Sequence, residues 1–293
     1  MPPRYEAPRA LRLNIRDTMS DATAIVGSVI DARRGVLYPA RMPEFHRLPA
    51  PPEAADLAVW FWIPEWRIEP GRASRQDVVA YPALNLVVEQ NGGEPAEVQL
   101  VGATTAASFR DLRGRGWAVG ALLRPASVAA LVEDPAALLD AAMPFDAPEL
   151  LTDVTAAMAG AGDDRRSDAV SVFARWLVAR VEDVSPAAQQ ANALSDLLMT
   201  DASILRAEDA AARLHLSLRT LQRLAHRHVG LPPAAMIRRR RLQEAAQRMR
   251  DDPQAEIALI AADLGYADHA HLTRDFRTVL GIAPSSYRAD PDS

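Results

Sequence analysis

Apolar residues change their spacing along this 293-residue chain, and each change marks a different kind of structure. Over the first ~20 residues proline and arginine recur without a sustained period. This reads as a loose leader over 1–30, with Met1 or Met19 as its start. Between 31 and 125, apolar runs of strand length alternate with Pro and Gly: Ala58 to Ile63, Leu84 to Glu89, Val98 to Val101 and Trp117 to Leu123. Asn91-Gly92-Gly93 supplies a turn between two of them. A small antiparallel β domain is predicted there. After Pro125 the pattern turns to Ala- and Leu-rich helix: Ser127 to Val132, Pro135 to Ala142, Glu149 to Met158 and Asp168 to Val181, a helical linker region over 126–184. Ser185-Pro186 starts a further helix through Leu198, and from there to Tyr287 the chain reads as helical, giving an all-α region over 185–293.

Within that region one pattern occurs twice. A short helix with Ala210, Ala211 and Ala212 runs into His215-Leu216-Ser217, where Ser217 can cap a second helix. Leu221, Leu224, Ala225 and Val229 then fall on its inward face, and Arg219, Gln222, Arg223 and Arg227 on its outward face. This is helix-turn-helix spacing. About fifty residues later Ile257 to Leu264, a turn at Gly265, a cap at Asp268 and a helix from His269 to Leu280 repeat it. Leu272, Phe276, Val279 and Leu280 point inward there, and Ala270, Thr273, Arg274 and Arg277 outward. Pro232-Pro233 opens a long connecting helix through Arg250, with Ile237, Leu242, Ala245 and Met249 as its packing stripe. Arginine pairs bidentately with guanine and glutamine with adenine, which is the chemistry a groove-reading helix needs. A rigid connector can hold two such helices about one DNA turn apart.

Charge sharpens this picture. The net charge is −5, yet residues 1–199 hold 19 arginines against 26 acids while residues 200–293 hold 14 against 12, and no lysine occurs. From Arg206 to Arg250 there are 11 arginines against three acids, and five of the six histidines follow residue 200. Charge asymmetry between the two halves suggests a nucleic-acid or membrane contact for the basic part. The absence of cysteine excludes disulfides, thiolate nucleophiles and Cys-ligated metals. No phosphate-cradling Gly loop, G-x-S-x-G elbow or H-E-x-x-H is present. His226 with His228 and His269 with His271 are each two residues apart, so on a helix they point roughly 200° from one another and cannot chelate from one face. No enzyme, cofactor or metal site is expected. No stretch of 18 apolar residues or signal peptide is visible, which reads as a cytoplasmic protein.

From about Ser195 to Arg288 the chain resembles the AraC-type transcription regulators. The resemblance rests on Gly265, Tyr266, Asp268, Arg274, Asp275, Phe276, Arg277, Gly281, Pro284, Tyr287 and Arg288 at fixed spacing, and on the run from Ser217 to Leu224. It implies sequence-specific binding of double-stranded DNA. Arg219, Gln222 and Arg223 of the first unit and His269 and Arg274 of the second would meet bases. Ser217, Thr220, Arg227, Arg238, Arg240, His271, Thr273 and Arg277 are assigned to phosphate, and Phe276, Gly281, Pro284 and Tyr287 to structure. His215 stands where the family usually has glycine, Leu272 where it usually has Phe, and Ala270 where a polar residue is common.

The N-terminal half resembles the β-rich sensory domains of some AraC-type regulators, through Leu37-Tyr-Pro, Tyr81 to Val88 and Gly116 to Pro125. This implies a cupin-like domain for a small-molecule effector or for dimerisation, with Trp60, Trp62, Tyr81 and Trp117 as a candidate pocket. The expected fold is α+β: a β-rich cupin-like domain, a helical linker and an all-α domain with two helix-turn-helix units. DNA is the expected partner, with an effector, a homodimer and RNA polymerase as further candidates and no membrane. The competing reading, favoured by His215 and Ala270, is a ligand-sensing or protein-interaction module with a degenerate DNA reader.

Overall fold

The computed structural model describes residues 44–78, 81–162 and 164–288, all within a compact unit that begins at Ala32. The leader, Leu37-Tyr38-Pro39 and Asp163 lie outside the described residues. The strands are β1 (Glu44–Pro49), β2 (Ala58–Arg67), β3 (Ala73–Val78), β4 (Asn85–Gln90), β5 (Glu97–Val101), β6 (Ser108–Arg113), β7 (Arg115–Leu123) and β8 (Ala142–Pro144). The helices are α1 (Pro125–Val128), α2 (Pro148–Met158), α3 (Asp164–Arg180), α4 (Pro186–Thr200), α5 (Ala207–Arg213), α6 (Leu218–Val229), α7 (Pro233–Asp251), α8 (Ile257–Asp263), α9 (His269–Leu280) and α10 (Pro284–Arg288). The molecule is α+β, with strands first and helices after.

Six strands pair in the order β1-β2-β7-β4-β5-β8, every pair antiparallel, and β3 pairs with β6 as a separate ribbon. Among the described residues the sheet stays open at β1 and β8 instead of closing into the expected barrel. Phe61 lies opposite Ala121, which lies opposite Leu86, so these three share a face. That face carries Phe61, Ile63, Leu86, Val88, Leu100, Val119 and Ala121, and it packs on Leu150 and Val154 of α2 and Phe173 and Leu177 of α3. The opposite face carries Trp66, Val87 and Ala118 with Leu112 of the ribbon and Trp62 at its edge.

One expected element came out differently, and one strand pair adds to those expected. Pro135 to Ala142 is not a helix: a 3-10 turn over Pro135–Leu138 ends at Asp140, whose φ is +57°, and the chain then joins β5 as β8. Asp140 tolerates that backbone and its carboxylate accepts hydrogen bonds from the Thr105 N–H (2.6 Å) and hydroxyl (2.5 Å), tying this loop to the one after β5. Strands β3 and β6 were not anticipated, because Ala73-Ser-Arg and Phe109-Arg-Asp offer no sustained apolar alternation.

Helix α4 joins the two halves. Ser185 caps it, its hydroxyl accepting from the Ala188 N–H, and Pro186 fits the first turn, where its missing N–H costs nothing. Buried Asn192 donates to the Asp56 carbonyl (2.9 Å) and accepts from the Ala126 N–H (2.9 Å), pinning α4 to the β-rich half. Ala191, Leu194 and Leu198 belong to a second core shared with α5, α6 and α7, a core that also contains Ala103 from the loop after β5. A third core is built from α7 to α10 alone, around Leu242, Ile260, Leu272, Phe276 and Tyr287.

Candidate nucleic-acid interface

Helices α5 and α6 form the first unit. The Arg206 N–H donates to the Asp209 carboxylate, starting α5, and Leu214 ends it. The connection depends on His215, at φ +53°, which lets the Leu216 N–H reach back to the Ala211 carbonyl (2.9 Å). Ser217 Oγ then accepts from the Thr220 N–H (3.1 Å), and α6 runs to Gly230 at φ +79°. The second unit repeats this: Gly265 turns at φ +73°, the Tyr266 N–H reaches the Ala261 carbonyl (2.9 Å), and the Asp268 carboxylate accepts from the His271 N–H (2.7 Å). Helix α9 ends at Gly281 with φ +78°. The same reverse turn is thus built with His in one place and Gly in the other.

Both second helices are twelve residues long, and equivalent positions differ by 51. Leu221, Leu224, Ala225 and Val229 are buried in α6, as Leu272, Phe276, Val279 and Leu280 are in α9. Arg219, Gln222, Arg223 and Arg227 are exposed and make no hydrogen bond or ion pair among the described residues. So are His269, Arg274 and Arg277, while Thr273 is half-buried. At the positions of Arg219, Gln222 and Arg223 the second helix carries Ala270, Thr273 and Arg274. The first helix presents more hydrogen-bonding side chains. His271 packs edge-on against Tyr266 (5.2 Å between centroids) and lies 4.0 Å from the Asp275 carboxylate, so its ring is held from two sides. Ser217 is exposed and Thr220 half-buried, each oxygen engaged with the other (2.8 Å).

The arginine row of α7 does not form one basic stripe. Successive helical residues step round the axis by about 100°, so four in a row cannot share a face. Arg238 is half-buried and makes no hydrogen bond or ion pair among the described residues. Arg239 is buried and donates to the Thr104 carbonyl (2.6 Å) and hydroxyl (3.2 Å), and burial lowers its pKa to about 10. Arg240, expected at phosphate, is 3% exposed, donates to the Ile204 carbonyl (2.7 Å) and lies 3.8 Å from Glu244. It is therefore a structural arginine that closes the first unit onto α7. Arg241 stacks over Tyr266 at 3.7 Å.

The four aromatics expected to line an effector pocket are divided between the sheet's faces. Trp60 and Trp62 share one face: Trp60 meets Tyr81 edge-on (4.8 Å) under the Arg47 guanidinium (4.5 Å), and the Trp62 N–H donates to Asn85 (3.0 Å). Trp117 pairs with Glu65 and Gln90 on the helix-covered face, its N–H donating to the Gln90 side chain (3.1 Å). It cannot join the other three, because strand parity sets it on the far side.

His226 and His228 likewise diverge, His226 exposed and His228 4% exposed, with Nδ1 donating to the Pro125 carbonyl (3.3 Å). Burial lowers the His228 pKa, so the ring is neutral at neutral pH. Sequence reasoning used this residue only to dismiss a metal. The Arg-Leu-Ala-His-Arg-His-Val order already set it on the buried side with Leu224, Ala225 and Val229.

Two turned, capped helix pairs joined by a long helix define a tandem helix-turn-helix domain, and residues 210–290 match a family described as a helix-turn-helix domain. Residues 46–143 match a domain of unknown function, DUF6597. Over 78 residues the chain is 37% identical to the HTH-type transcriptional activator RhaS of Pectobacterium carotovorum, covering 27% of this chain and 28% of that protein. The RhaS of Escherichia fergusonii is 36% identical over 86 residues, 29% of this chain and 31% of that protein. The chain thus aligns with less than a third of the length of these relatives. Among solved structures, ToxT from Vibrio cholerae aligns with 78% of this chain and 97% of its own at 11% identity, with a TM-score of 0.43. Among the described residues no helix is long and apolar enough to cross a membrane.

Proposed function

We propose that this protein is a sequence-specific regulator of transcription that binds double-stranded DNA through residues 185–293 and is modulated by a small-molecule effector or partner through its β-rich half, residues 31–125. The observation that carries it is the repeated helix whose buried apolar face leaves arginines and a glutamine exposed and without protein partners. Arg219, Gln222 and Arg223 read base edges from α6, and His269 and Arg274 from α9, each bidentate pair worth about 1–3 kcal/mol of discrimination. Ser217, Thr220, Arg227, Arg238, His271, Thr273 and Arg277 position the protein on phosphate. The transcriptional activators that match the C-terminal region support this reading. It places the protein in the cytoplasm, assigns it no catalysis, and adds a second copy and RNA polymerase as partners.

Selection of random duplexes by the purified chain, followed by anisotropy at two salt concentrations, tests it. Enrichment of two half-elements about 10 base pairs apart is expected. Binding that is salt-sensitive but indifferent to sequence would instead mean that the reader is degenerate.

A further inference from the structure

A cleft of about 490 Å³ lies where the β-rich half, the α3–α4 elbow and α6 meet. Its apolar lining is small, from Ala126, Ala129 and Ala130 at α1 to Val181, Ala187 and Ala188, with Ser185 among them. Its rim carries two arginines, Arg180 and Arg227, and two acids, Glu182 and Asp183. All four are exposed and make no hydrogen bond or ion pair among the described residues. Two cationic and two anionic side chains around one hollow are thus open to a ligand of either sign. His228 also lines the cleft. With Nδ1 engaged by Pro125, its Nε2 lone pair has no hydrogen bond among the described residues, although the residue is 4% exposed. An acceptor that opens on the cleft is available to a donor that comes from outside.

We propose that this cleft binds a compact zwitterion of the amino-acid class. Its carboxylate sits between the Arg180 and Arg227 guanidiniums. Its ammonium group faces Glu182 and Asp183 and donates to His228 Nε2. A plain anion would meet the two acids and a plain cation the two arginines, so only a ligand carrying both charges satisfies the whole rim. The alanine lining leaves room for a side chain, with Ser185 as its one hydroxyl neighbour there. Arg227 and His228 belong to α6, the helix that carries Arg219, Gln222 and Arg223 on its first two turns. The ligand therefore grips the reading helix itself and takes from DNA the guanidinium assigned above to phosphate. This last consequence rests on the regulator reading; the binding does not.

The test is calorimetric titration of the full chain, without DNA, with each of the twenty common amino acids, and with propionate and ethylamine as single-charge controls. At least one amino acid should saturate below about 1 mM while both controls fail to. Arg180→Ala and Arg227→Ala, both at exposed positions, should melt as the parent does and each weaken binding about tenfold or more. Saturation by none of the twenty, equal binding of propionate or ethylamine, or undiminished affinity in both variants would each overturn the proposal. Anisotropy with the selected duplex then reads the coupling: the bound amino acid should lower duplex affinity, and an unchanged affinity overturns the coupling. A chain that binds no duplex at all counts against the regulator reading and leaves the calorimetric result standing.

Discussion

The two helix-turn-helix units share a geometry but not a dependence on the rest of the molecule. The second packs its own core from α7 to α10. The first completes its core with Ala103 from the β-rich half, and α6 is held there at two further points. His228 donates to the Pro125 carbonyl, and Gly230 lies so close to the 3-10 turn that a Cβ would stand 2.7 Å from the Pro135 oxygen. The unit whose second helix presents more hydrogen-bonding side chains is therefore the one tied to the β-rich half, and under the function proposed above a signal generated there has a direct mechanical route to α6. The other unit touches that half lightly, a Cβ at Gly281 standing 3.1 Å from the Ala107 side chain.

The largest effect that distinguishes the two units is expected at their terminal glycines. Gly230→Ala combines a left-handed backbone with a clash against a carbonyl and should cost about 3 kcal/mol in urea unfolding, whereas Gly281→Ala, facing only a methyl group, should cost about 1–2 kcal/mol. Equal costs would mean that the first unit is no more tightly held than the second. Next come the reading residues. Arg223→Ala should lose about 1–3 kcal/mol at a single base position, while its counterpart Arg274→Ala should cost less and Arg238→Ala should mainly flatten the salt dependence. Duplex titrations with single-base variants separate the three. A smaller gain is expected from His215→Gly, which relieves a left-handed non-glycine residue and should raise the unfolding midpoint by up to about 1 kcal/mol in stability. The reverse change in the other turn, Gly265→Ala, should lower it.

The smallest effect is a pH dependence confined to the first unit. Burial depresses the His228 pKa below its ordinary 6.5, so the unfolded chain binds the proton more readily than the folded one. The stability from this residue is intact above pH 6.5 and is lost as pH falls through 6.5 toward the lower folded value. Urea midpoints compared at pH 7.5 and 5.5 should therefore drop further in the parent than in His228→Gln. Identical drops would place the sensitivity elsewhere.

The second unit was legible because backbone demands and residue types coincide there: a glycine at the turn, an aspartate at the cap, a glycine at the end. In the first unit His215 stood at the turn in place of a glycine, and the unit was read from its short alanine helix, the Ser217 cap and the period of the second helix. The exposed faces of α6 and α9 were legible from helical period alone. Arg240 was misjudged because four adjacent arginines suggest a stripe, although the period already required one or two of them to turn inward. Trp117 was misplaced for a different reason. Parity within a strand can be read from sequence, but which face of a neighbouring strand it matches depends on register, and register is set by partners far away in the chain. The ribbon of β3 and β6 left no apolar signature at all, since it is polar along much of its length.

The buried contribution of Ala103 also decides where this kind of protein can be taken apart and recombined. A cut before Pro186 looks natural, since a linker ends there, but it leaves the first unit with an open apolar seam where the loop after β5 used to lie. The cleaner joint is at Pro232-Pro233, between the units. Exchange of β-rich halves among such chains would therefore have to carry α6 along, and under the function proposed above a new signal would arrive together with part of a new address on DNA.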